Sequence, residues 1–505
     1  MKAIFDAGTL SEPVQVPKGT SVVNLKFIFV KKVGENGLVD RYKARLVYNH
    51  LKEGETNENN YAPVANRVSL KVFLAAAAAQ RWELVQADVK TAFLNADNPG
   101  REYVRLPKEV VKIEAERVRI LQKALYGLQR APKMWHLTFA NWAVQVGFQQ
   151  SEHDACMFLH SEKRQMIIIY VDDMLLAADG KESMKDLCGI LTSKFQSRLL
   201  GTPSYFLGMN LVYNKHQGLV MLTQQTYIDA VVEKYGLDTL LPRSLPLKPG
   251  LKLQKQGEEE KGKEIFPEYG SLIGALLFLA VCTRPDVSFA VGTLSKFVSA
   301  PTRTHWETAI NVVGYLKGTR DTGICLGKTT GREVVGYADS DWGNDIDDRM
   351  SISGGIIYWG TNVVSWFSRK QTMVSLSTAE AESHAMVDVS KEIIYVQRIV
   401  GEVMKFFGRE DLLIPLIYSD NQPAIDAVLN GKGRTKHYDL RLKYLAFGIS
   451  NNLFEIEKVA TIDNVADIFT KVLRATRFKM LASAIVTSGQ FPRMCKLRGG
   501  VENVI

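Results

Sequence analysis

Apolar and polar positions alternate through Val22–Val33 and again through Leu38–Val47, separated by the turn-forming run Gly34-Glu35-Asn36-Gly37. That pattern predicts a β-hairpin. Leu51–Asn60 is polar and reads as a loop. Val68–Gln80 holds five consecutive alanines and predicts a closely packed helix, followed by a strand over Trp82–Val89 that contains Asp88. Leu121–Trp142 reads as helical beyond Gly127, despite Pro132. Two apolar runs, Met166–Val171 and Met174–Ala178, flank Asp172-Asp173 and predict a second hairpin with acids at its turn. Thr226–Tyr235 is amphipathic, with Tyr227, Ile228, Val231, Val232 and Tyr235 on one face. Lys248–Lys263 combines Pro249, Gly250 and Gly257 with the charge run Glu258-Glu259-Glu260-Lys261, and reads as a linker. Tyr269–Thr319 is mostly helical. Beyond Gly331 the order is strand, strand, strand, helix, strand, helix, and Arg474–Ile505 shows no clear pattern. The chain is therefore expected to be a multidomain α+β or α/β protein.

Composition narrows this further. A length of 505 residues suggests about three or four domains, enough to bury several cores without covalent staples. Five scattered cysteines, with no pair at CxxC spacing, argue against zinc knuckles and a disulfide scaffold. Lys2, Asp6 and Glu12 interrupt any apolar leader, and no apolar run is long enough to span a bilayer. The expectation is a soluble intracellular protein with no membrane partner. The net charge of +9 is compatible with a polyanionic partner, though many basic proteins bind none.

The chemistry lies in the carboxylates. Asp172 and Asp173 sit between Ile167-Ile168-Ile169 and Met174-Leu175-Leu176. A solvated acidic turn would explain them, but two like charges held between buried strands repel unless a cation compensates. Mg²⁺ favours a few carboxylates plus substrate phosphates. Asp88 adds a second strand-end acid, so the three could clamp two Mg²⁺ ions for phosphoryl transfer. Farther on, Asp339 follows the strand Val334–Tyr337 and Asp420 the strand Ile414–Tyr418, while Asp467 lies near a helix start. Glu380 falls in Ser377-x-x-Glu380, which is equally the signature of a helix capping box.

These acids belong to a series of motifs. In order they are Tyr42-Lys43-Ala44-Arg45-Leu46-Val47, Tyr61-Ala62-Pro63-Val64-Ala65, Asp88-Val89-Lys90-Thr91-Ala92-Phe93, Leu125-Tyr126-Gly127-Leu128, Tyr170-Val171-Asp172-Asp173 and Phe206-Leu207-Gly208. Thr283-Arg284-Pro285-Asp286, Ala338-Asp339-Ser340-Asp341-Trp342, Leu376-Ser377-Thr378-Ala379-Glu380-Ala381-Glu382 and Ala466-Asp467-Ile468-Phe469-Thr470-Lys471 follow. In this order, from about Pro17 to Leu473, the chain resembles the reverse transcriptase and ribonuclease H part of a copia-type LTR-retrotransposon polyprotein.

The resemblance implies a right-hand polymerase followed by a ribonuclease H-like α/β domain. Residues 1–16 are then an unrelated or disordered segment. Residues 17–256 are reverse transcriptase, with fingers and palm to about residue 200 and thumb after. Residues 257–330 are a connection, 331–473 ribonuclease H and 474–505 a tail. Asp88, Asp172 and Asp173 are implied as the polymerase metal triad. Asp339, Glu380, Asp420 and Asp467 are implied as the ribonuclease H metal site. Each site is expected to take two Mg²⁺ ions, with Mn²⁺ as the alternative. Phe93 matches the position that blocks a nucleotide 2′-hydroxyl, against plain core packing. Lys43 and Arg45 are candidates for the incoming triphosphate, against a solvated β-face. Tyr126 and Gly127 match the nucleotide pocket, and Phe206, Leu207 and Gly208 the grip on the primer end. His437, in Lys436-His437-Tyr438-Asp439, matches a family motif but is equally read as structural. The implied partners are RNA and DNA template-primer, RNA/DNA hybrid and dNTPs, in cytoplasmic virus-like particles or the nucleus.

Two decoys are set aside. Asp321-Thr322-Gly323 occurs once, whereas aspartic-protease chemistry needs two such carboxylates. Gly323 and Gly327-Lys328-Thr329 are one residue short of phosphate-loop spacing. Departures from the family pattern occur at Tyr48–Gly54, at Ser383 where an aromatic is usual, and at Met350–Gly355. They motivate the alternative of a decayed or domesticated copy that binds nucleic acid without catalysis.

Overall fold

The computed structural model describes residues 2–33, 39–49, 60–100, 102–113, 117–255, 257, 266–327, 333–430 and 436–488. The Gly34-Glu35-Asn36-Gly37 turn, most of the Leu51–Asn60 loop and the linker's charge run lie outside these residues. The chain divides into two compact units, residues 1–66 with 84–201, and residues 67–83 with 202–505.

In the first unit, Val22–Val33 and Val39–Tyr48 pair antiparallel, with Val30 opposite Lys43 and Ile28 opposite Arg45. Tyr103–Arg105 and Val118–Ile120 complete a four-stranded sheet. A six-stranded sheet runs in the order Ser197–Gly201, Glu83–Val89, Asp173–Ala178, Gln165–Tyr170, Met157–His160 and Gln149–Gln150. Its central strands are continuously apolar because both faces are covered, Met166–Ile169 and Met174–Ala178 being buried throughout. The helices Ala131–Gln145 and Lys181–Lys194 pack against it. Trp135, Phe139, Trp142, Phe158 and Phe195 form a continuous aromatic core with neighbouring centroids 5.1–5.9 Å apart.

The N-terminal segment, expected to be unrelated or disordered, is folded. Lys2–Asp6 is helical, Leu10 bridges to Leu121, and Ser11 Oγ accepts from the Ile120 amide. Leu10 is buried in the core, which a short, irregular stretch does not announce by periodicity.

The second unit holds two five-stranded sheets. One comprises Tyr205–Phe206, Met209–Asn214, Leu219–Thr223, Thr322–Gly327 and Thr487–Ser488. Helices Gln225–Lys234, Tyr269–Cys282, Ser288–Ser295 and Arg303–Gly318 accompany it. The helix Arg67–Ala79 also belongs here, and its alanines let strands approach closely. A Cβ on Gly218 would lie 3.0 Å from the Ala78 carbonyl oxygen, and one on Gly327 2.9 Å from the Ala78 Cβ. The other sheet runs Asn362–Lys370, Ile352–Trp359, Val334–Ser340, Leu416–Ser419 and Glu455–Lys458. Its first three strands are antiparallel and its last three parallel, and the helix Thr378–Phe406 covers it. The C-terminal stretch is a second correction. Ala475–Ile485 is a helix burying Phe478, Leu481, Ala482 and Ile485, an i, i+3, i+4, i+7 stripe present in the sequence.

Charged side chains are buried deep in this unit. Arg284 forks onto Asp286 at 2.9 and 2.7 Å, both side chains fully buried, and the Tyr315 hydroxyl donates to Asp286 at 2.6 Å. Lys71 is also buried. Its Nζ donates to the Val364 carbonyl at 3.2 Å and lies 3.9 Å from the Trp366 ring centroid. Among the described residues, no helix is long and apolar enough to cross a membrane.

Burial lowers the Lys71 pKa to about 7 from 10.5. Between those values the unfolded chain binds more protons, so stability should rise with pH across this window. Lys71→Met should therefore raise the Tm most at pH 7 and below, with the gain shrinking towards pH 10. Calorimetry on both proteins across that range checks it, and a gain independent of pH would contradict it.

Candidate active sites

The first acid group is built on adjacent strands. Asp88 lies on Glu83–Val89, and Asp173 opens Asp173–Ala178, its neighbour in the sheet. The Val89 amide donates to the Asp172 carbonyl at 2.9 Å, stitching the two segments beside the acids. Tyr170 pairs with Asp173 across a two-residue turn, Val171-Asp172. Val171 adopts φ +59°, a conformation for which such turns ordinarily use glycine. A β-branched residue there is strained, at a cost on the order of 1–3 kcal/mol. Asp88, Asp172 and Asp173 are all half-buried. Among the described residues, these three carboxylates are not gathered within 4.8 Å of one another.

The predicted nucleotide residues of this unit adjoin that group. Phe93 lies in the 3₁₀ turn Ala92–Asn95, almost fully buried, with its ring centroid 4.7 Å from that of Tyr126. The Arg45 guanidinium sits 5.3 Å from the Tyr126 ring centroid, and its buried Nε has no hydrogen-bond partner among the described residues. An orphaned cationic donor is suited to an anion. Burial, then the charge of Asp172, raises the Tyr126 pKa, and Asp88 adds to it, so the phenol lies within the field of both acids. Lys43 is half-buried two residues from Arg45 on the same strand, hence on the same face. Gly127 is required by backbone proximity. Its φ is +88°, and a Cβ would meet the Tyr48 carbonyl oxygen at 2.3 Å. Phe206, Leu207 and Gly208 belong to the second unit, where Leu207 and Gly208 form a tight turn at φ +48° and +80°. Phe206 is buried, and a Cβ on Gly208 would strike the Phe278 ring.

The second acid group closes tightly. Carboxylate oxygens of Asp339, Glu382 and Asp420 all lie within 4.8 Å of one another. Asp339 is carried by Val334–Ser340, the central strand, and Asp420 follows the parallel strand Leu416–Ser419. Asn464 steadies both segments, donating to Asp420 Oδ1 at 3.2 Å and to the Ala338 carbonyl at 3.0 Å. Asp467 stands beside them. Lys471 Nζ bridges Asp467 at 2.6 Å and Asp339 at 3.1 Å, and Arg477 also pairs with Asp467 at 2.9 Å.

Burial raises the pKa of Asp339, with Asp467 and Asp420 pushing the same way and Lys471 opposing. Glu382 is raised by burial and then by the charges of Asp339 and Asp420. Its Oε2 is buried without a hydrogen-bond partner among the described residues. Converging carboxylates with an orphaned oxygen form a hard, all-oxygen donor set suited to Mg²⁺.

This arrangement corrects the assignment of Glu380. Its carboxylate accepts from the Leu376 amide at 2.8 Å, while its own amide donates to Ser377 Oγ at 3.2 Å, so it caps the helix Thr378–Phe406. Two residues turn a helix by about 200°, which puts Glu382 on the opposite face, towards the sheet. A signal existed in the sequence. The buried stripe Val403, Val400, Val396, Ile393, Val389, Met386 extends backwards at spacings of three and four to Glu382, and Glu380 falls off it. His437 is the second residue of the helix Lys436–Ser450, and its side chain lies outside the described residues.

Glu382→Gln should remove a class of Mn²⁺ sites from a calorimetric titration. Glu380→Ala should leave the number of sites unchanged and cost about 0.5–2 kcal/mol of stability as a lost cap. The reverse result would restore Glu380 as the ligand.

Residues 10–249 match the reverse transcriptase (RNA-dependent DNA polymerase) family. A retrovirus-related Pol polyprotein from transposon TNT 1-94 of Nicotiana tabacum is 34% identical over 92% of this chain and 36% of that relative. The Pol polyprotein from transposon RE2 of Arabidopsis thaliana is 31% identical over 93% of this chain and 32% of its own length. The chain thus spans about a third of these polyproteins. A transposon Ty5-1 protein of Saccharomyces cerevisiae is 31% identical over 58% of this chain and 96% of its own length. Among solved structures, a foamy viral protease-reverse transcriptase in complex with double-stranded DNA has a similar fold. Its TM-score is 0.51 at 11% identity, over 91% of this chain and 68% of that one. The chain thus belongs to the reverse transcriptase family of copia-type retrotransposons.

Proposed function

We propose that the chain is an RNA-directed DNA polymerase with ribonuclease H activity, in which two separate acid groups perform phosphoryl transfer. The observation that carries this reading is the closed cluster of Asp339, Glu382 and Asp420. It occurs on a five-stranded mixed sheet in a chain whose other unit carries Asp88, Asp172 and Asp173 on adjacent strands. In this reading the first unit supplies fingers and palm, and residues from about 202 to 256 the thumb. The connection occupies residues 257–330 and ribonuclease H residues 331–473.

Asp88, Asp172 and Asp173 would hold Mg²⁺ in the polymerase, and Asp339, Glu382 and Asp420 in the nuclease. Bound there, the metal would stabilise charge on attacking and leaving oxygens. The protein's own groups do the rest. Arg45, with its unpaired Nε, and Lys43 receive the triphosphate of a dNTP. Tyr126 and the close Gly127 backbone form the floor of the nucleotide pocket. Phe93, held against Tyr126, excludes a ribose 2′-hydroxyl by occupying its space. Phe206, Leu207 and Gly208 grip the primer end. In the nuclease, Lys471 and Arg477 restrain Asp467 beside Asp339, and Asn464 orients Asp420. The net charge of +9 favours template-primer and RNA/DNA hybrid through their phosphates.

Mg²⁺-dependent extension of oligo(dT) on poly(rA), run beside hybrid cleavage, tests the whole reading. Absence of product in both assays would leave only nucleic-acid binding. Asp172→Asn should abolish extension while hybrid cleavage continues, and loss of both would contradict separate sites. Phe93→Val should admit ribonucleotides, lowering the dNTP/rNTP selectivity ratio by roughly tenfold or more, since steric exclusion of one hydroxyl is what it removes. An unchanged ratio would assign Phe93 to packing alone.

A further inference from the structure

We propose that Trp135 is a positioning residue for the polymerase acids, its indole N–H holding the strained turn that carries Asp172 and Asp173. This rests on the polymerase reading of that site. Trp135 lies on the helix Ala131–Gln145, is 1% exposed, and donates from Nε1 to the Val171 carbonyl at 2.6 Å. A carbonyl at the first central position of a two-residue turn receives no bond from its own ladder. The indole therefore supplies a tether that the hairpin cannot.

The tether falls where the backbone needs it. Two described β-branched residues have positive φ, Val171 at +59° and Thr91 at +51°, and both lie within three residues of a site acid. Strain of this kind persists only where the surroundings overdetermine it. At Val171 those surroundings are Trp135 on the residue's own carbonyl and the Val89 amide on the next one. The same indole reaches the other acid through packing. Its ring lies 5.2 Å from Phe195. The adjacent Gln196 carbonyl accepts from the Lys90 amide at 2.9 Å, and the strand that follows pairs Arg198 with Asp88. Trp135 thus touches the supports of both acid-bearing segments without touching an acid.

Satisfying its own buried donor would be reason enough for an indole N–H to find a carbonyl. The two accounts separate in a double-mutant cycle, because only a strained turn gains from being held. Val171→Gly removes the strain, so it should make the tether dispensable. On the full chain with poly(rA)/oligo(dT) and Mg²⁺, Trp135→Phe should lower kcat for extension by about five- to tenfold, the effect of one hydrogen bond on positioning. The KM for dTTP should stay within about twofold, and hybrid cleavage should be unchanged. In the Val171→Gly background the same replacement should cost less than about twofold. An equal penalty in both backgrounds, or undiminished extension, overturns the assignment. Should Trp135→Phe also depress hybrid cleavage and Tm, benzothienylalanine at position 135 removes only the N–H and is read against the same two backgrounds by the same criteria. A wild-type chain that extends no primer overturns the polymerase reading and this assignment together. An active wild-type chain with an indifferent variant overturns the assignment alone.

Discussion

Carboxylates repel, and the acids of each group stand near one another only because the fold holds the segments that carry them. In the second unit the force is burial. Asp339 and Glu382 are almost withdrawn from water, so each charge is felt strongly by its neighbours, and both pKa values rise. Lys471, reaching Asp339 and Asp467 at once, offsets part of that repulsion, while one buried Glu382 oxygen has no hydrogen-bond partner among the described residues. In the first unit the force is the backbone. The Val89–Asp172 hydrogen bond and a turn held at an unfavourable φ keep half-buried acids at the ends of adjacent strands.

Much of the surrounding architecture serves these constraints. The aromatic core around Phe139 and Phe195 includes Trp135, whose indole bonds the strained turn of the first acid group. The fully buried pairing of Arg284 with Asp286 and Tyr315 anchors the helical segment of the second unit. Breaking such a pair costs several kcal/mol, because the remaining charge is stranded. Glycines recur where backbones meet, Gly127 against Tyr48 being the clearest case.

The legible parts of the fold were those with a strong period or a named turn. The hairpin around Asp172-Asp173, the Val22–Val33 strand and the helices before Thr319 follow from alternation, apolar runs and helical spacing. The sheet over Tyr205–Thr223 is not legible in the sequence, because its strands are short, and one of its partners, Thr322–Gly327, lies about a hundred residues away. Pairing at that distance leaves little local trace. The helix Ala475–Ile485 carries a legible stripe at Phe478, Leu481, Ala482 and Ile485.

By itself the sequence determined the family, the order of the acid motifs, and the strand ends on which most of the acids stand, because strand-end placement is local and motif order is one-dimensional. Tertiary structure decided which acids meet. Glu380 and Glu382 sit two residues apart in near-identical surroundings, and only the helix's rotation against the sheet sends one to a cap and the other to Asp339 and Asp420. The strain at Val171 was likewise a tertiary decision. A two-residue turn between apolar runs can be foreseen, but the carbonyl partner that lets valine remain there comes from a helix more than thirty residues away.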